Sequence, residues 1–183
     1  FSVYPLIRKY LSGSTASGLY EARLGKEEFG GETHVFSPAY REDEFEELLT
    51  YADHLVFNSP SQLRKYAPRA RALGKEIGLR INPECSTQEG HAIYDPCAPA
   101  PVWEPQGQFD ESLLPLLDGL HFHTLCEQNS DDLETTADEF EKKFGKYLSQ
   151  MKWVNFGGGH HITREDYDVE RLLRIVRHFH ETY

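Results

Sequence analysis

The sequence has no long hydrophobic run. Its 183 residues are 39% hydrophobic, but no apolar stretch approaches the roughly 18 residues that a membrane-spanning helix needs. It also shows no basic and apolar leader, so we expect no secretory signal. The aromatic content of 13% argues against disorder, and the length suits one domain with a substantial core. We therefore expect a globular chain with no membrane partner.

Basic residues are scarce as well. Lysine and arginine number 19 against 30 acidic residues, which gives a net charge of −11. Because phosphate backbones are bound through clustered Lys and Arg, this balance disfavours a nucleic-acid partner. It is compatible with a cationic substrate, although acidic surfaces mostly serve solubility.

The sequence contains few cysteines, and their spacing shows no pairing pattern. The cysteines Cys85, Cys97 and Cys126 are odd in number and show no CxxC spacing. This favours a protein of the reducing cytoplasm over a disulfide-linked secreted one.

What the sequence does contain is an alternation of short β-rich runs with longer helical ones. We predict strands at residues 14–17, 34–36, 54–58, 77–82, 120–125 and 153–156. We predict helices at residues 4–11, 19–29, 43–52, 61–73 (interrupted or bent at Pro68) and 131–148, and a last helix after Thr163. Six strands alternating with helices predict a parallel sheet covered by helices. The pattern alone leaves both a doubly wound sheet and a (β/α)8 barrel open.

Two segments carry more specific predictions. The Pro-rich segment from Pro83 to Asp110 is too long for an ordinary connection, so it is a candidate functional loop. In the last helix, Asp166 stands three residues after Thr163, which is close to a capping box. The apolar positions predict an inward face made of Val169, Leu172, Val176 and Phe179, with Leu173 alongside.

Polar and glycine residues follow several of the predicted strands. In parallel α/β folds, ligands collect at the C-terminal ends of the strands. Three glycines, Gly157, Gly158 and Gly159, follow the last strand in the stretch NFGGGHHITREDYD (155–168). Backbone N–H groups of such a turn, backed by a helix start, form an anion site that suits phosphate. The alternative is a tight turn that merely needs positive φ.

Two histidines and one arginine raise further alternatives. His121 and His123 point to the same side if their strand is regular. They are then either a hydrogen-bonded pair or two ligands of a barrel metal site, which would need more ligands such as His160 or His161. Arg80 lies within an apolar strand, so it either pairs with a core carboxylate or contacts a ligand.

Several stretches closely resemble the carboxynorspermidine decarboxylase family, a group of fold-type III pyridoxal-phosphate decarboxylases. They are GLRINPE (78–84), YDPCAP (94–99), GLHFHTLCEQNSDDLE (119–134) and FGGGHHITREDYD (156–168). The segments TASGLYEARLG (15–25) and SPAYREDEFEELL (37–49) extend the resemblance over nearly the whole chain.

The resemblance implies a (β/α)8 barrel of the alanine racemase type, with residues 1–183 forming one partial cofactor-binding domain. It implies that pyridoxal 5'-phosphate is held by Gly157, Gly158 and Gly159, with His123 on its ring, Arg80 nearby and Cys126 in the place of a phosphate-binding serine. The implied reaction removes CO2 from carboxynorspermidine or carboxyspermidine, small cationic carboxylated triamines, in a cytoplasmic homodimer of polyamine biosynthesis.

The resemblance also implies that parts of the family's barrel are absent. The family's cofactor-bearing lysine would lie upstream of Phe1, and neither Lys75 nor Lys152, which precede their strands, replaces it. The first and last barrel strands and the C-terminal β domain are missing too, and residues 100–105 depart from the family. We therefore expect an inactive barrel fragment of an active parent enzyme. The alternatives are a metal-dependent hydrolase using His121 and His123, or a non-catalytic cofactor-binding piece.

Overall fold

The computed structural model describes residues 2–88, 104–105 (backbone only) and 109–183. Cys97, the YDPCAP stretch and residues 100–103 lie outside the described residues. The strands are β1 (Gly13–Ala16), β2 (Glu32–Phe36), β3 (His54–Phe57), β4 (Glu76–Asn82), β5 (Glu104–Pro105), β6 (Gly119–His121) and β7 (Trp153–Asn155). The α-helices are α1 (Tyr4–Ile7), α2 (Leu19–Leu24), α3 (Glu42–Tyr51), α4 (Pro60–Ala72), α5 (Ser130–Leu148) and α6 (Val169–Thr182).

The chain divides into two compact units. The first contains residues 1–80 and 112–118, and the second contains residues 81–111 and 119–183. Strand β4 runs across this boundary. All six predicted strands are present in the described residues, as β1 to β4, β6 and β7. The short β5 lies in the segment that we predicted to be a loop.

The first unit is a parallel sheet covered by helices. β1 pairs with β2, β2 with β3, and β3 with β4, with His34 opposite His54 and Leu55 opposite Ile77. Leu55 and Phe57 are fully buried, and the Phe57 ring packs against Tyr40 at 5.4 Å. A run of buried apolar residues is typical of parallel strands, which have helices packed on them.

The opposite face of the same strands carries polar groups. The Nδ1 atoms of His34 and His54 lie 3.3 Å apart, and His54 Nε2 lies 3.7 Å from a carboxylate oxygen of Glu76. Burial, followed by the neighbouring His54, lowers the pKa of His34 to about 4. His34 is therefore neutral at physiological pH.

The second unit repeats the parallel arrangement. β6 pairs with β7, with Gly119 opposite Trp153 and His121 opposite Asn155. Phe122 packs on Phe140 of α5, with ring centroids 4.6 Å apart. Such contacts hold the helix against one side of the strands. The histidines that flank Phe122 in sequence are thereby directed to the other side.

Three of the earlier helices differ from the sequence prediction. Helix α1, predicted over residues 4–11, ends at Ile7. The helix predicted over residues 19–29 is α-helical only to Leu24 and continues as a π-helical turn over Gly25–Phe29. A Cβ atom at Gly25 would lie 2.4 Å from Ser14 Oγ, so glycine allows this turn to approach β1. Pro68 lies within α4 and does not interrupt it.

The predicted start of the last helix is wrong. α6 begins at Val169, and Asp168 caps it by accepting a hydrogen bond from Arg171 N at 2.9 Å. Asp166 instead pairs with Arg164 at 2.6 Å. Asn129 Nδ2 donates to Asp166 O at 2.7 Å and Asn129 Oδ1 accepts from Asp168 N at 3.1 Å. These tertiary bonds hold the preceding segment in a non-helical path, which a local capping pattern does not reveal.

The predicted inward face of α6 is also wrong in part. Val169, Leu173 and Val176 are exposed, whereas Ile175 and Phe179 are buried. The helix carries two adjacent apolar stripes, and the one containing Ile175 and Phe179 is the buried one, with the Phe179 ring 6.1 Å from Phe140 of α5. None of the described helices is long and apolar enough to cross a membrane.

Candidate functional site

His121 and His123 lie on one side of the chain where β6 ends. His121 is only 3% exposed, and its ring stacks on that of His123 with centroids 5.9 Å apart and an interplanar angle of 24°. Phe122 N donates to Asn155 O at 3.0 Å, which extends the pairing with β7 past the last ladder residue. The two histidines therefore have the common orientation that a regular strand gives.

The glycine turn directly follows β7 and packs against His123. Gly157 has φ 74° and Gly159 has φ 90°, which is a backbone conformation that favours glycine. A Cβ atom at Gly157 would lie 2.7 Å from His123 Cγ, and one at Gly159 would lie 2.2 Å from Leu125 O. Both glycines are thus required by the chain's own backbone and packing, as the tight-turn alternative proposes.

Gly158 differs from its two neighbours. Its φ is not in the positive range, and the nearest described atom to a Cβ there would be His123 Cε1 at 3.8 Å. Its N–H group donates to His123 Nε2 at 3.4 Å. Nothing in the described residues crowds this position, so the packing of the turn does not explain why it is glycine.

The remaining predicted site residues fall in two places. Cys126 is exposed, and its backbone N would be 3.0 Å from a Cβ atom at Gly159. The second unit therefore brings together His123, Cys126 and the three glycines. Arg80 belongs to the first unit, is 8% exposed, and lies over the Phe36 ring with Cζ 4.7 Å from its centroid.

The histidines after the glycines are not at a helix start, because α6 begins well after them. His160 Nδ1 lies 2.8 Å from the hydroxyl of Tyr167, and burial lowers the pKa of His160. Within residues 2–88, 104–105 and 109–183, no group of three His, Cys, Asp or Glu side chains is placed to hold a metal ion. The extra ligands that a His121 and His123 metal site requires are thus not assembled in this part of the chain.

Sequence reasoning missed Gln128, which joins the two sides of the site. Its backbone N donates to Gly159 O at 3.0 Å, and its backbone O accepts from His161 N at 3.3 Å. Gln128 stands within the motif GLHFHTLCEQ (119–128). No hydrophobic period or charge pattern distinguishes a single loop glutamine, so only the motif itself could have indicated it.

Comparison with known proteins identifies relatives of the chain. No model of a known protein family matches it. A carboxynorspermidine/carboxyspermidine decarboxylase of Campylobacter jejuni is 42% identical over 179 residues, which cover 97% of this chain and 46% of that protein. The chain is a homologue of these decarboxylases. A carboxyaminopropylagmatine decarboxylase of Synechocystis is 38% identical, over 100% of this chain and 47% of that protein.

A solved structure supports the same relation. The crystal structure of carboxynorspermidine decarboxylase from Campylobacter jejuni, complexed with norspermidine, matches with a TM-score of 0.86 at 40% identity, over 100% of this chain and 46% of that one. The predicted resemblance and the predicted parallel α/β fold class of the fold-type III decarboxylases are confirmed. The chain spans about half the length of the relatives that it matches.

The contrast between neighbouring glycines gives a stability prediction. Gly159→Ala should lower the free energy of unfolding by about 2–4 kcal/mol, because it combines a left-handed backbone with an overlap on Leu125 O. Gly158→Ala should change it by less than about 1 kcal/mol, because the added methyl group meets only ordinary contacts. Urea denaturation of both variants measures the difference. Equal effects of the two substitutions would show that the turn has a different conformation.

Proposed function

We propose that this chain contains the phosphate site of a pyridoxal-phosphate-dependent decarboxylase acting on carboxynorspermidine or carboxyspermidine. The observation that carries the proposal is the uncrowded position of Gly158 beside His123, between two glycines where a Cβ atom would overlap neighbouring atoms. A turn with left-handed residues can present successive N–H groups to one side, which is a favourable environment for phosphate oxygens. The residues present therefore fit the phosphate group of the cofactor.

The glycine turn is the main anchor in this proposal. α6 begins well after Gly159, so the helix start that we expected directly behind the turn is not part of it. The N–H groups of Gly158 and Gly159 would hold the phosphate, and the long 3.4 Å bond from Gly158 N to His123 Nε2 would be exchanged for one to a phosphate oxygen. The resemblance also assigns Cys126 a place at the phosphate. His123 lies against the same turn, where it would support the flat ring of the cofactor. The resemblance also assigns Arg80 a place near the cofactor, where it would supply a positive charge.

Bound pyridoxal phosphate would supply an electron-accepting ring for loss of CO2. The chain's own residues would bind and orient that ring. The resemblance implies that none of the lysines of this chain takes the place of the family's cofactor-bearing lysine. For this reason we propose that the chain alone binds the cofactor non-covalently and does not turn over substrate.

The substrate class follows from the relatives. The Campylobacter protein is named for carboxynorspermidine and carboxyspermidine, and the Synechocystis protein is named for carboxyaminopropylagmatine. The higher identity to the former favours a carboxylated triamine. The net charge of −11 is compatible with such a cationic substrate. The same resemblance supports action as a cytoplasmic homodimer.

Substitution of Gly158 separates the binding of phosphate from the stability of the fold. Gly158→Val should weaken the binding of pyridoxal phosphate at least about tenfold, or about 1.4 kcal/mol, because a branched side chain would block approach to the turn. The affinity for pyridoxal, which lacks the phosphate, should stay unchanged. Equilibrium dialysis of both compounds measures the two affinities.

A matched control is Gly18→Val, because Gly18 is also a glycine with open space at its Cβ position and outside the turn. This variant should bind pyridoxal phosphate like the unmodified chain. If Gly158→Val bound pyridoxal phosphate with undiminished affinity, the phosphate site would lie elsewhere.

A chimera tests the activity and the substrate. In the chimera, this chain would replace the matching region of the Campylobacter jejuni decarboxylase. The relative would then supply all of its own residues outside the matched region. We expect the chimera to release CO2 from carboxynorspermidine or carboxyspermidine and this chain alone to release none. A folded chimera that binds the cofactor but lacks turnover would favour a non-catalytic cofactor-binding role. Turnover by the chain alone would show that one of its own lysines serves.

A further inference from the structure

The side chain of Gln128 connects two loops of the second unit, its own loop after β6 and the one after β4. Its Nε2 atom donates to Thr87 O at 3.1 Å and to Thr87 Oγ1 at 2.8 Å. Its Oε1 atom accepts from Cys126 N at 3.3 Å and from Gln88 Nε2. The primary amide has two donor hydrogens and two acceptor lone pairs, so these bonds use its full capacity.

The partners of Gln128 fix which way its amide points. Cys126 N can only donate and Thr87 O can only accept, so a flipped amide would face a like group on each side. A glutamate in place of Gln128 would lack the N–H donors, and a leucine would lack both the donors and the acceptor. Gln88 Nε2 additionally donates to Thr124 O at 3.3 Å, which ties the same network to the residues after β6.

The backbone of Gln128 holds the end of the glycine turn. It bonds to Gly159 O and to His161 N, and it forms a parallel bridge with His160. The preceding residue, Glu127, has φ 57°, a left-handed conformation that is uncommon for a residue with a side chain. Such a conformation persists when the surrounding contacts over-determine it, which indicates that this corner is held in one geometry.

We propose that Gln128 is a positioning residue that sets the geometry of the phosphate turn and couples it to residues 86–88. This inference rests on the proposed function of the turn. Gln128 does not need to touch the cofactor. Its side chain holds the Cys126 backbone, against which Gly159 packs, and its backbone N bonds directly to Gly159 O. The amide bonds to Thr87 and Gln88 then hold the start of the long segment after β4 against the same corner.

The test compares Gln128→Leu and Gln128→Glu with the control Gln150→Leu, since Gln150 is exposed and outside the site. The readouts are the affinities for pyridoxal phosphate and for pyridoxal, and the ³¹P chemical shift of bound pyridoxal phosphate. We expect both Gln128 variants to lose about tenfold in affinity for pyridoxal phosphate, none for pyridoxal, and to move the ³¹P line towards that of the unbound compound. The control should change none of these.

The outcomes separate the inference from the proposed function. If the unmodified chain does not prefer pyridoxal phosphate to pyridoxal, the phosphate site itself is wrong. If it does, and both Gln128 variants keep the preference and the ³¹P shift, Gln128 has no positioning role even if the variants are less stable. Should the Gln128 variants not fold, Thr87→Val removes a single acceptor hydroxyl and should produce the same change at about twofold. An unchanged Thr87→Val would then overturn the inference.

Discussion

The candidate site depends on a close packing of two backbone segments, the one after β7 and the one after β6. Gly157 packs so closely against His123 that an added Cβ atom would overlap it. Gly159 packs in the same way against Leu125 O and Cys126 N. No larger residue fits at either position. This packing leaves Gly158 between them with an uncrowded backbone, and it places His123 and Cys126 at the same turn. The same short distances determine the fold of this corner and support the phosphate site that we propose there.

The hydrogen bonds around the turn make the packing specific. Asn155 Oδ1 accepts from Gly157 N at 2.7 Å, which closes the turn from the strand side. Gln128 binds Gly159 and His161 from the other side. Backbone groups that are partly withdrawn from water are usually hydrogen-bonded within the protein. Here the partners come from side chains and from the neighbouring loop, so the turn is held by residues that are distant in sequence.

Much of this arrangement could be predicted from the sequence, because it depends on local pattern. The runs around Leu55, Leu79 and Leu120 have the apolar character of parallel strands, and all six strands are present. The glycine run indicated a close approach. The sequence could not distinguish Gly158 from Gly157 and Gly159, since φ angles and Cβ distances depend on the tertiary contacts of each residue. Gln128 could not be identified from the sequence for the same reason, because its role depends on hydrogen bonds to residues that are distant in sequence.

The two wrong predictions about α6, its start and its buried face, also share a physical origin. Thr163 and Asp166 have the spacing of a helix start, but Asn129 binds the backbone of Asp166 and Asp168 and delays the helix to Val169. Tertiary hydrogen bonds of this kind override a local capping preference of about 1 kcal/mol. The apolar stripes of α6 were ambiguous for a related reason, because Phe140 of α5 determines which stripe is buried.

The most direct test of the phosphate site is the amide NMR spectrum of the chain during titration with pyridoxal phosphate and, separately, with pyridoxal. Backbone N–H groups that bind a phosphate change their chemical shifts strongly when the anion arrives. We predict that the amides of Gly158 and Gly159 shift much more strongly with pyridoxal phosphate than with pyridoxal. Equal shifts with both compounds, or phosphate-dependent shifts confined to other amides, would contradict the account.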